Sequence, residues 1–213
     1  SLNRPITRIS GDLVDYIVSQ TGINEKETEE ILLQTYPHGS VSAYLTKYYE
    51  MAFMGREEAT DFEKATVELF RDVFGYRTEH IGPKGLTPDV LLVSDDGGYQ
   101  AIIDNKAYRK YSITNDHHNR MVHNYIGNIR NYSSSNQPLG FFSYIAGGFG
   151  ESINEQIMSI SEESQVRGSA VSVTNVIRLV ENNQKFPYSQ MELKELFSVN
   201  RQVLIKDIDA HLL

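Results

Sequence analysis

The sequence predicts an α/β fold in which helices cover both sides of a β-sheet and a helical segment precedes it. Three observations predict it. Residues 11–50 read as helices, residues from about 61 onward alternate helical periodicity with short β-prone runs, and Asp95-Asp96-Gly97-Gly98 is a strong hairpin signal between two such runs.

Taken in order, Asn24-Glu25-Lys26-Glu27 opens an amphipathic helix through Leu33, and Tyr36-Pro37-His38-Gly39 breaks it from the next. From Asp61 on, Phe62, Ala65, Leu69, Phe70 and Val73 recur at helical spacing and are expected to face a core. Val90-Leu91-Leu92-Val93 and Tyr99-Gln100-Ala101-Ile102-Ile103 are the two strands of the hairpin. Residues 115–131 form a predicted helix with an apolar stripe of Met121, Val122, Tyr125 and Ile129, a core face that is also an interface candidate. Residues 139–146 read as a strand, 153–160 as a helix, 170–173 as a strand, and Ser189-Gln190-Met191-Glu192 as the cap of a helix through Leu196. Residues 133–138 are a flexible polar loop. Gly147-Gly148-Phe149-Gly150 is a strand-to-helix turn, because it lacks the spacing and the lysine of a nucleotide loop.

Composition narrows the function classes. A chain of 213 residues, 40% of them hydrophobic, is long enough for one sizeable core. With no cysteine, neither disulfides nor a thiolate metal site can be invoked. No run is apolar and long enough to span a membrane and no secretory signal opens the chain, so a soluble, cytoplasmic protein is expected. The start at Ser1-Leu2, without methionine, reads as a fragment or an engineered start. The net charge of −8 argues against a domain that finds DNA by itself, because duplex binding is dominated by lysine and arginine on phosphate.

The hairpin carries the chemistry. If Asp96-Gly97 is a two-residue turn, counting outward pairs Asp89 with Asp104; if Gly97-Gly98 is the turn, Asp89 pairs with Lys106. Either way, strand alternation puts Asp89, Asp104 and Lys106 on one face and turns the Asn105 side chain away, leaving only its main-chain carbonyl there. Two carboxylates this close need a raised pKa or a bound cation, and all-oxygen donors favour Mg²⁺ or Mn²⁺ over zinc. With an ammonium to orient a water and stabilise charge, this is the minimum kit for metal-assisted phosphodiester hydrolysis. The bland alternative is a turn-capping Asp89 and a solvated Asp104–Lys106 ion pair.

From about Asp61 to Val180 the chain resembles the PD-(D/E)xK nucleases, and more narrowly the FokI-like cleavage domains of type IIS restriction endonucleases. The resemblance is carried by Phe74-Gly75-Tyr76, His80-Ile81-Gly82, Pro88-Asp89, Ile103-Asp104-Asn105-Lys106-Ala107-Tyr108, the glycine-rich stretch from Ala146-Gly147, Gly168 to Val173, and Asn175-Val176-Ile177. It implies a restriction-endonuclease-like α/β/α core with a central mixed β-sheet. It also implies that Asp89 and Asp104 hold metal, that the Asn105 carbonyl completes the site, and that Lys106 is the catalytic lysine. Glu63 is either a supporting metal residue, as such nucleases often keep, or the closing member of a capping box with Thr60. The implied domains are a helical segment or linker over residues 1–58 and a catalytic domain over 59–213. The implied activity is DNA cleavage with Mg²⁺, for which Mn²⁺ substitutes. The implied partners are double-stranded DNA, a transient homodimer and an upstream DNA-recognition domain. A repair or junction-resolving nuclease and an inactive dimerisation module are the alternatives.

Arg77, Lys84, Arg109 and Lys110 join Lys106 as candidate backbone contacts. The loop from His80 to Asp89 is one residue longer than in FokI, with Pro83 and Lys84 replacing a glycine-rich continuation. The reciprocal Asp and Arg of the FokI pairing helix correspond, by gapless counting from Ala107, to Arg120 and Asn124, so any dimer must use other polar contacts. His117, His118 and His123 lack the i, i+4 spacing of a helical zinc site and no cysteine assists, so no zinc site is expected. The 13 tyrosines are scattered and read as packing residues.

Overall fold

The computed structural model describes residues 17–19, 22–24, 26–28, 43–81 and 86–210. The elements are α1 (Ala43–Met51), a 3-10 turn (Gly55–Glu57), α2 (Ala59–Asp72), β1 (Arg77–His80), β2 (Val90–Ser94), β3 (Tyr99–Asn105) and α3 (Asn115–Asn119). A π-helical segment (Arg120–Ile126), α4 (Ile129–Tyr132), β4 (Leu139–Ala146), α5 (Ile153–Ser164), β5 (Gly168–Ser172), α6 (Val173–Lys185), α7 (Gln190–Phe197), β6 (Arg201–Gln202) and α8 (Ile205–Asp209) follow.

The strands form one mixed sheet in chain order. β1, β2 and β3 are antiparallel, and β3 through β6 run parallel. Helices cover both faces, as expected from the alternation of strand and helix signals. On one face Phe62, Leu69 and Phe70 of α2, Val176 and Val180 of α6 and Phe197 of α7 pack against Val90, Leu92, Ala101 and Ile103. On the other, Met121, Val122 and Tyr125 of the π-helical segment and Ile153, Ile157 and Ile160 of α5 pack against Leu91, Val93 and Ile102. β2 and β3 are therefore buried on both sides, which is why they read as near-continuous apolar runs. Helix α1 joins the first core, with the Tyr48 ring 5.1 Å from Phe62 and its hydroxyl 2.9 Å from Thr66 Oγ1.

The hairpin adopts the first of the two registers: Ser94 faces Tyr99 and Val90 faces Ile103, which sets Asp89 opposite Asp104. Its turn spans residues 95–98, two more than the minimal turn, and Gly98 sits at φ +64°, where a side chain would be strained. Strand β4 and the start of α5 fall where the sequence places them, and Ser189 with Glu192 forms the capping box of α7.

Other expectations are corrected. The predicted strand over 170–173 starts at Gly168 and ends at Ser172, whose hydroxyl accepts from Asn175 N and so starts α6 at Val173. The single helix expected over 115–131 is broken into α3, a π-helical turn and α4. The Gly127 N–H donates five residues back, to Val122 O at 3.0 Å, so one residue more than an α-turn holds is accommodated. Its stripe nevertheless packs inward: Met121, Val122 and Tyr125 are buried and Ile129 is half-buried. Strand β1 and helix α6 were not legible from the sequence. β1 is a short edge strand of Arg-Thr-Glu-His, without an apolar alternation to mark it. Of the helical stretch 11–50, residues 11–16, 20–21, 25 and 29–42 lie outside the described ones, as do Leu33 and the Tyr36-Pro37-His38-Gly39 break. Asn24 Oδ1 does accept from Glu27 N at 2.9 Å, as a helix cap would.

Candidate active site

The site lies where β3 ends, at the junction of the antiparallel and parallel halves of the sheet. Strand alternation sends Asp104 to the same face as Ile102, and Asn105 to the opposite face, against α2. Asp104 is buried, with 2% of its surface exposed. One of its oxygens, Oδ2, takes the Lys106 ammonium at 2.6 Å, whereas Oδ1 is sealed from solvent and has no hydrogen-bond partner. Asp89, one residue before β2, accepts the Asn105 main-chain N–H on Oδ2 at 2.7 Å. That bond ties the first carboxylate to the strand that carries the second.

The electrostatics follow from this packing. Burial, and then the neighbouring Asp104 carboxylate, push the Asp89 carboxyl well above its ordinary value. Burial opposes the charge on Lys106, but the carboxylates of Asp104 and Asp89 outweigh it and hold the ammonium above the usual lysine range. Buried Asp104 and half-buried Asp89 share one cation, so negative charge is under-compensated when both are ionised. The unpaired Asp104 Oδ1 and the all-oxygen donor set fit a hard divalent cation. Among the described residues no three His, Asp or Glu side chains converge on a point that could hold a metal. Two carboxylates and a main-chain carbonyl suit Mg²⁺, which keeps several of its waters.

A second layer supports the first. Asn105 Nδ2 donates to Thr66 Oγ1 of α2 at 2.7 Å, and Thr66 in turn donates to Phe62 O. The Gly147 N–H donates to Tyr108 O at 3.1 Å, and the Tyr111 N–H to Gly148 O at 2.9 Å, so the glycine-rich stretch after β4 grips the loop that follows Lys106. A Cβ at Gly147 would come within 2.9 Å of Tyr108 O and the Phe53 ring, which is the reason for glycine there.

A cleft of about 200 Å³ opens onto the site, lined by Glu63, Asp89, Lys106, Tyr108 and His117 among others. Glu63 reaches it from α2. Its carboxylate bonds His80 Nε2 at 2.8 Å, and α2 starts at Ala59 without a side-chain cap, which removes the capping-box alternative. Arg109 and Lys110 are exposed just beyond Tyr108. Arg77 is not brought here: it stands at the turn end of the hairpin, with its guanidinium on Asp95. Lys84 lies outside the described residues, as does Pro83. Arg120 bonds Asp116 at 2.8 Å within its own helix, and Asn124 is half-buried.

The histidine trio splits. His117 faces the cleft, whereas His118 and His123 both reach Glu163 of α5, at 2.8 and 3.5 Å, because the π-helical turn brings residues five apart onto one side. His80, His117, Tyr111 and Thr66 were not singled out for the site by sequence reasoning. For Thr66 a signal existed, a hydroxyl amid the apolar face of α2; for the others, which meet across long separations, none did.

The FokI cleavage domain model matches residues 22–204. The type II restriction enzyme StsI of Streptococcus sanguinis is 25% identical over 150 residues, covering 65% of this chain and 24% of that protein. A solved structure of restriction endonuclease FokI superposes with a TM-score of 0.69 at 19% identity, over 84% of this chain and 33% of that one. A structure of FokI bound to DNA gives 0.70 at 20% identity, over 88% and 35%. The chain therefore spans about a quarter of the length of the curated relative and about a third of the solved ones. The fold is shared with FokI, and the chain belongs to the FokI cleavage domain family.

Proposed function

We propose that this chain is a metal-dependent DNA endonuclease domain, the cleavage module of a type IIS restriction enzyme, with residues 59–213 carrying the catalysis. The observation that carries this reading is the Asp89–Asp104–Lys106 constellation with an orphaned carboxylate oxygen on Asp104. Asp89, Asp104 and the Asn105 carbonyl would hold Mg²⁺, for which Mn²⁺ substitutes, with Glu63 in support; the bound ion supplies positive charge to developing phosphate oxygens and a lowered water pKa. Lys106, held protonated between the two carboxylates, orients the attacking water and stabilises the charge that builds on phosphorus. The Asn105 N–H bond fixes the Asp89 oxygen.

The substrate is double-stranded DNA, cut with little sequence preference inside this domain. The net charge of −8 supports delivery by a separate DNA-recognition domain, as opposed to independent search. One site cuts one strand, so double-strand cleavage calls for a transient homodimer. Because the FokI pairing residues are replaced by Arg120 and Asn124, and Arg120 is engaged with Asp116, the dimer uses other contacts.

Supercoiled plasmid with Mg²⁺ or Mn²⁺, across a range of protein concentrations, tests this. Metal-dependent nicking and linearisation that rise steeply with concentration and vanish in Lys106→Ala are expected. A folded protein that fails to cut, even when fused to a DNA-binding domain, overturns the reading in favour of an inactive nuclease-like module.

A further inference from the structure

His117 has a place in the cleft that the Asp89–Asp104–Lys106 set does not use. It is the third residue of α3, and its main-chain N–H donates to the Thr114 hydroxyl at 3.2 Å while the Tyr144 hydroxyl donates to its carbonyl at 3.3 Å. Its backbone is therefore fixed from both sides. The ring is fixed as well: Nδ1 lies 2.7 Å from the Tyr111 hydroxyl, and the two ring centroids are 5.8 Å apart.

The tautomer follows from hydrogen-bond satisfaction. Tyr111 is 4% exposed, and burial followed by the Asp104 carboxylate holds its phenol protonated far beyond neutral pH. A buried O–H needs an acceptor, and His117 Nδ1 is the one the structure gives it. The ring proton then sits on Nε2. That nitrogen has no hydrogen-bond partner among the described residues, and the ring lines the same cleft as Asp89 and Lys106. Burial, and then the Lys106 ammonium, hold the imidazole below its ordinary pKa, so it is neutral at pH 7. A neutral, pre-aligned N–H donor in a cleft that receives a phosphodiester is suited to bonding an anionic oxygen and unsuited to giving up its proton.

Resting on the nuclease reading above, we propose that His117 is a further catalytic residue, which donates an Nε2–H hydrogen bond to a non-bridging oxygen of the phosphate being cut, with Tyr111 as the positioning residue that sets its tautomer. No proton is transferred. A glutamine side chain can present an amide N–H near the same point, so the test is a comparison of His117→Gln with His117→Leu.

Mg²⁺-dependent plasmid cleavage is measured for the wild type, both variants and Lys106→Ala, with thermal unfolding of each. His117→Leu is expected to lower kcat about 10- to 100-fold with KM little changed, and His117→Gln to recover most of that loss. Equal activity in all three proteins overturns the proposal. So does an equal loss in both variants, which would mean proton transfer or mere packing, and so does a loss that tracks the thermal midpoint. If the wild type does not cut even when fused to a DNA-binding domain, the nuclease reading fails and takes this inference with it, a result distinct from wild-type cutting that ignores residue 117.

Discussion

The two ends of the β2–β3 hairpin solve opposite problems. At the turn end the polar groups of the hairpin answer one another: Tyr99 donates to Gln190 O at 2.6 Å and lies 2.5 Å from the Tyr76 hydroxyl, Ser94 donates to Gln190 Oε1, the Gly97 N–H donates to Ser94, and Arg77 holds Asp95. At the open end, four to five residues along the same strands, buried Asp104 and half-buried Asp89 face one ammonium, and Asp104 Oδ1 and Asn105 Oδ1 have no partner among the described residues. One end is built for stability. The other keeps unmet hydrogen-bonding capacity that only a cation or a substrate can meet, which is where local rules of satisfaction are expected to be broken.

This contrast can be broken by substitution. Asp104→Asn should reduce DNA cleavage by about 10³-fold or more, since it removes charge from the metal-holding face. Its urea midpoint should fall as well, because the Lys106 ammonium loses its 2.6 Å partner. Cleavage per folded molecule that stays at the wild-type level would show instead that Asp104 is structural. Thr66→Val, behind the site, strands Asn105 Nδ2 and should cost about 1–3 kcal/mol in chemical denaturation, with a drop in cleavage as Asn105 loosens. At the answered end, Tyr99→Phe should cost about 1–2 kcal/mol and leave cleavage per folded molecule unchanged. An activity loss there would mean that the two ends are coupled through the strands.

The smallest effect is a pH dependence. Folded Asp89 keeps its proton above the ordinary aspartate value of 3.8, so the folded state binds a proton that the unfolded chain has already released. Stability without metal therefore falls as pH rises from about 4 until folded Asp89 ionises. Urea midpoints of the metal-free protein should show this slope, and Asp89→Asn should flatten it. A slope unchanged in that variant would assign the effect to another group.

How much of this was legible in the sequence depends on distance along the chain. The shared face of Asp89, Asp104 and Lys106 and the turning away of Asn105 follow from strand alternation in either register that the sequence left open, so counting residues was enough for them, whereas the choice of register rests on the four-residue turn. Strand β4 was legible because apolar and aromatic residues dominate it, with Ser143 the one polar interruption. Contacts across long separations were not: nothing in the spacing joins Glu63 to His80 or Tyr111 to His117. The capping reading of Glu63 failed because α2 begins at Ala59, two residues earlier than Asp61 suggests. Arg77 was grouped with the basic set by proximity in sequence, yet an antiparallel strand carries it away from the site.

The π-helical turn over Arg120–Ile126 acts as a phase shifter on the surface that this helix presents. By absorbing one surplus residue between α3 and α4, it rotates everything downstream relative to everything upstream, while Met121, Val122 and Tyr125 stay anchored in the core. Positions transferred from a straight helix by counting are thus offset by one past the turn, from Ile129 on, whereas Asn124 lies inside it. Deleting one residue there would return the helix to a regular pitch and re-aim the exposed side chains beyond it, without moving the residues that anchor it in the core.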